Sequence, residues 1–174
     1  ADNRSGKTEL PSVLAAGRSE MNKKIELPTK VNSYDLERVL VVEVPRPMLE
    51  PWCLGLDLLD HGIIDAIQIV DDRGRTALAV RLDRRLPTVR ALLDEVDQGF
   101  HIRITQNELD YWTKFFLRYY ANGWADVGHI DVELKTTPDE YGNKFGVTFK
   151  VDESGPSMQV DEFLRRVGLS TTSD

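Results

Sequence analysis

The stretch from Thr105 to Gly123 limits what this chain can fold into more than any other. Thr105-Gln106-Asn107-Glu108 has the spacing of a capping box, in which a threonine oxygen and a glutamate carboxylate satisfy the free N–H groups of a helix start. Gly123 can take the left-handed conformation that closes the other end, so the spacing predicts a helix over 106–122. Of the chain's three Trp, five Tyr and six Phe, this short segment and the residue after it hold half: Tyr111, Trp112, Phe115, Phe116, Tyr119 and Tyr120, with Trp124 just beyond. Leu109, Trp112, Phe116 and Tyr119 form one stripe at helical spacing, with Phe115 as an alternative to Phe116. Tyr111, Phe115 and Tyr120 then wrap toward a second side. A helix that is apolar on two sides is either covered twice within its own domain or offered to a partner, and aromatic residues with polar tips are enriched at interface hot spots.

Around this helix the chain reads mainly as β-structure. Residues 38–44 contain the β-branched run Val39-Leu40-Val41-Val42, too short for a helix and expected as a buried strand. Pro45, Pro47 and Pro51 then stop the strand and predict extended or turning chain, with a short helical turn over 54–59. Residues 63–70 and 75–82 are β-favouring runs joined by Asp71-Asp72-Arg73-Gly74, which predicts a bulged hairpin. Pro87 at a first turn, Val89, Leu92, Leu93 and Val96 at helical spacing, and Gly99 as a stop predict a helix facing the sheet. Phe100, Ile102 and Ile104 alternate as a half-exposed strand. A second hairpin is expected from the alternation at 130–134 and 145–151, and a last helix from Pro156-Ser157 to Gly168.

The fold expected is therefore α+β: a single, mostly antiparallel sheet of about five or six strands with three helices packed on it. Ordered structure is expected to begin near Tyr34. Residues 1–30 read as a flexible N-terminal extension or an expression remnant, 31–170 as one domain, and 171–174 as a disordered tail.

At 174 residues and 41% hydrophobic, the chain can build a core without staples, and its single cysteine, Cys53, allows no internal disulfide. That favours a reducing, cytoplasmic setting, and no apolar run approaches bilayer-spanning length. A formal net charge of −7 disfavours nucleic acid and anionic membrane surfaces as partners. Charge is nonetheless uneven: residues 71–90 carry six arginines against three aspartates, and residues 126–162 nine acids against three lysines. Such asymmetry makes self-association reasonable.

No phosphate-binding loop, dinucleotide fingerprint, paired-cysteine site or nucleophile elbow occurs in the sequence. His129, Asp131 and Glu133 fall on one face of a strand and form a weak metal-ligand candidate, outweighed by a solvated hairpin face with Lys144 and Lys150 opposite. Asp57, Asp60, His61 and Asp65 form an acidic group that capping and turn formation mostly explain. Arg73, Arg75, Arg84 and Arg85 are a weak anion-binding set, since guanidinium groups grip phosphates and carboxylates as bidentate forks. With Arg81 they also give a third, weakest reading as a nucleic-acid contact.

The expectation is thus a non-catalytic domain that docks a protein partner or a second copy of itself through the aromatic helix. Tyr111, Trp112, Phe115, Tyr119, Tyr120 and Trp124 are its contact residues, with no cofactor and no membrane role. The alternative is a small-molecule-binding domain or small acid–base or metal enzyme with its pocket between sheet and aromatic helix.

Overall fold

In a computed structural model, residues 23–34, 39–86, 91–96, 99–134 and 145–169 are described. The first strands precede the expected start of order: β1 (Lys24–Pro28) and β2 (Lys30–Tyr34) are parted only by Thr29. β3 (Val39–Pro45) follows, and a single 3-10 turn (Arg46–Met48) leads into α1 (Leu49–Asp60). Pro51 does not break α1, because it sits in the first turn, where a backbone N–H has no helical acceptor. The segment expected to be extended with one helical turn is therefore a full helix.

β4 (Ala66–Val70) and β5 (Thr76–Leu82) form the expected antiparallel hairpin, with a register irregularity at Ile69/Val70 and Gly74 in the turn at φ 73°. β6 (Ala91–Val96) replaces the helix expected to run to Gly99; Pro87 and Val89, which opened that reading, lie outside the described residues. Only two residues separate β6 from β7 (Gly99–Ile104), and the two pair antiparallel from Ala91↔Ile104 to Val96↔Gly99. Hairpin pairing with β7 thus overrides the helical period of these residues. α2 (Gln106–Asn122), β8 (His129–Leu134), β9 (Phe145–Asp152) and α3 (Val160–Arg166) complete the chain.

The single antiparallel sheet is not what forms. Instead there are two mixed sheets, one ordered β1-β4-β5-β7-β6 and the other β2-β3-β9-β8. Three of the strand pairs, β1·β4, β3·β9 and β5·β7, are parallel. The reason lies in the connections: α1 carries the chain from β3 in one sheet to β4 in the other, and α2 carries it from β7 to β8. The sheets meet at Thr29, where one nearly continuous strand pairs first with β4 and then with β3; the Thr29 N–H extends the β4 ladder to the Val70 carbonyl at 2.9 Å. At the far side β6 lies beside β8, so the sheets curve around one core.

Alternation decides which face each strand turns inward. Ile25, Leu27, Ile67, Ile69, Leu78, Val80, Ile102 and Ile104 line the inner face of the first sheet, and Leu40, Val42, Val147, Phe149, Ile130 and Val132 that of the second. α1 packs its Gly55 face on the first sheet, where a Cβ at Gly55 would meet Leu27 Cδ1 at 3.4 Å, an ordinary contact. Trp52 of α1, Trp112 and Phe116 of α2 and Phe149 of β9 form an aromatic centre, with ring centroids 4.6 Å apart for Trp112–Phe149 and 5.2 Å for Trp52–Phe116. No helix among the described residues is long and apolar enough to cross a membrane.

Candidate docking surface

The local rules for α2 hold: the Thr105 hydroxyl accepts from the Glu108 N–H at 3.2 Å, and Gly123 closes the helix at φ 78°. Its inward stripe is Leu109, Trp112, Phe115 and Phe116. Trp112 is fully buried and its indole N–H donates to Glu108 Oε1 at 2.8 Å. Trp112 and Phe115, expected as contact residues, are therefore core residues. Tyr119 is half-buried, its ring 5.1 Å from that of Phe115.

The second side of α2 is partly covered by α1, the proline-bearing segment, which runs antiparallel to it. Tyr120 faces Glu50 at the start of α1, and Gln106 donates to Asp60 Oδ1 at its end, at 2.9 Å. The charge of Glu50, with its hydrogen bond, holds the Tyr120 phenol above its ordinary range.

What remains outside is concentrated. The large hydrophobic residues exposed among the described residues are Ile63, Tyr111, Leu117, Tyr120, Trp124, Val127 and Leu169, and five of these seven lie between positions 111 and 127. At 100° per residue, Tyr111 and Tyr120 stand on opposite flanks of α2. Tyr120 groups with Leu117 on the α1 side, while Trp124 and Val127 follow on the loop between α2 and β8.

That loop is held at several points. Arg46 donates to the Gly123 carbonyl at 3.1 Å and grips both oxygens of Glu153 at 2.6 and 2.8 Å. Arg118 pairs with Asp126, Ala125 packs on the core, and the Tyr119 hydroxyl makes a long contact of 3.5 Å to the Gly128 carbonyl. Trp124 is nonetheless 61% exposed. The hydrogen bond from Arg46 holds the Glu153 carboxyl below its ordinary value.

The charged candidates separate across the molecule. Arg75 is bound to Asp71 within its own turn, its guanidinium at 2.8 and 3.0 Å, and its backbone N–H, aided by that guanidinium, lowers the Asp71 pKa; Arg73 is exposed at the same tip. Arg84 reaches Asp60 instead, at 2.9 Å, while Arg85 stands exposed beside it. The four arginines thus divide between two distant turns. His129 and Asp131 do come together, Nε2 to Oδ2 at 3.2 Å on an exposed face, and Thr148 donates to Asp131 at 2.6 Å. The side chain of Glu133 and the whole of Lys144 lie outside the described residues, and Lys150 turns to Glu43 at 2.8 Å. Among the described residues no three His, Cys, Asp or Glu side chains gather as metal ligands. Burial raises the Cys53 thiol to about 12, which leaves it protonated and unreactive.

A groove of about 520 Å³ opens at the end of α1, lined by Leu59, Asp60, His61, Ile64, Asp83 and Arg85 among others. It brings together part of the acidic group and the Arg84/Arg85 turn, but no residue of the aromatic helix lines it. His61 caps α1, and its hydrogen bond to the Asp57 carbonyl, with the Asp57 charge, raises its pKa. Sequence reasoning missed Leu117, Val127 and the Arg46 brace. Leu117 breaks the stripe pattern and was there to be seen; nothing in the sequence ties Arg46 to Gly123.

No family model, curated protein or solved structure matches the chain.

Proposed function

We propose that the protein is a non-catalytic docking domain, whose contact surface is the outer part of α2 and the loop after it: Leu117, Tyr120, Trp124 and Val127. The observation that carries this reading is the braced exposure of Trp124. An aromatic ring left in water on a loop fixed by Arg46, Arg118 and Ala125 loses little further freedom when a partner covers it. Compared with the set expected from sequence, Trp112 and Phe115 serve the core, Tyr111 faces elsewhere, and Tyr120 and Trp124 remain.

The test uses the purified protein and its Tyr120→Ala/Trp124→Ala variant as parallel baits in a lysate of the source, followed by titration of the purified captured protein. Binding by the parent that weakens by about 2 kcal/mol or more in the variant, some thirtyfold, is the expected result. Equal binding by both would end the proposal.

A second reading rests on the groove at the end of α1, whose His61 and Arg85 could hold a small anion over the apolar floor of Leu59 and Ile64. Thermal stabilisation by a small carboxylate or phosphate, lost in Arg85→Ala, would support it; no stabilisation at millimolar anion would remove it.

A further inference from the structure

We infer that the partner presents a basic amphipathic helix to the outer seam between α1 and α2, an inference that rests on the docking reading and specifies its partner. The seam's apolar centre is Leu117, 45% exposed, and Tyr120, 51% exposed, beside half-buried Cys53. Carboxylates stand at both of its ends. Glu50 is at the Tyr120 end, and Asp60 and Asp110 are at the far end, where Gln106 bridges them at 2.9 and 3.0 Å, with Asp57 exposed on α1 one turn before His61.

The countercharge within the seam is smaller. Arg84 pairs with Asp60, and His61 lies 3.5 Å from Asp57 Oδ1. Lys114, four positions after Asp110 and three before Leu117, stands at the outer edge of the seam, while Arg118 lies further round α2 and is committed to Asp126. An apolar line flanked by acids is complementary to a segment with an apolar stripe flanked by lysines or arginines. The twelve residues of α1 give a seam of about 18 Å, enough for three turns of a docked helix.

The probes are a labelled amphipathic leucine/lysine peptide of about fourteen residues and its leucine/glutamate counterpart, titrated into the whole protein by fluorescence anisotropy. The lysine peptide is expected to bind the parent and to weaken about tenfold or more with Asp57→Lys/Asp110→Lys, while Asp131→Lys/Glu162→Lys, which changes net charge equally away from the seam, leaves it within about twofold. The glutamate peptide is expected to prefer the seam variant. Equal weakening by both pairs of reversals, or no binding of the lysine peptide, would overturn the inference. A natural partner that depends on Tyr120 and Trp124 but ignores Asp57 and Asp110 would also overturn it while leaving the docking surface standing.

Discussion

Two tryptophans of the same chain segment should answer truncation in opposite ways. Trp112 is fully buried, 4.6 Å from Phe149 by ring centroid, and bonded to Glu108; Trp124, twelve positions on, is 61% exposed. Removing a buried tryptophan costs the lost burial plus the cavity left behind, about 3–5 kcal/mol. Against a whole-domain stability of about 5–15 kcal/mol that is a large fraction, and at about 2–4 °C per kcal/mol it lowers Tm by about 6–20 °C. Trp124→Ala removes a ring with few partners and should stay within about 0.5 kcal/mol, or about 2 °C. Thermal and urea unfolding followed by far-UV circular dichroism measure both. A loss in Trp124→Ala comparable to that in Trp112→Ala would mean that the ring is covered in the folded protein, and the docking surface would lose its anchor. Conversely, a Trp112→Ala cost below about 1 kcal/mol would refute the aromatic core.

Three further outcomes follow from the same geometry. Gly55→Ala should raise stability by up to about 1 kcal/mol, since a Cβ meets Leu27 and Ile67 only at ordinary contact and alanine favours helix; a loss of more than that would show the α1–sheet approach to be tighter than it is here. His61 has a folded pKa above its unfolded value of 6.5, so its contribution is complete below that pH and disappears as pH rises through the folded value; His61→Gln should flatten the fall in Tm between about pH 6 and 8, and an unchanged slope would contradict this. Asp152 and Glu153 are held low, by Lys30 and Arg46 respectively, so their contribution is present above the unfolded values of 3.8 and 4.5 and is lost as pH falls through the folded ones; Glu153→Gln should remove part of that acid sensitivity and speed amide exchange in residues 123–128, and unchanged exchange would deny the brace.

What could be read from the sequence was local. The Thr105 cap of α2, the two hairpins and the alternation of β7 follow from neighbours a few residues apart, and the structure has them. What could not be read depended on which segment a strand pairs with. Ala91-Leu92-Leu93 suits a helix face as well as a strand, and only the partner Ile102-Arg103-Ile104 decides for the strand. β1 and β2 are short and lysine-bearing, and β1 owes its place to parallel pairing with β4 some forty residues later. The site divides in the same way. Tyr120 and Trp124 were visible as surplus aromatics, but that Phe115 is the surplus ring the core absorbs depends on tertiary packing, which no local pattern encodes.

The most direct measurement is site-specific photo-crosslinking, with a benzophenone side chain placed at Val127, at Leu117, and, as controls, at Arg73 and Asp131. In a lysate of the source, the docking account predicts that Val127 and Leu117 both trap the same single species and that neither control does. Crosslinks of equal yield from all four positions, or none from Val127 and Leu117, would contradict it.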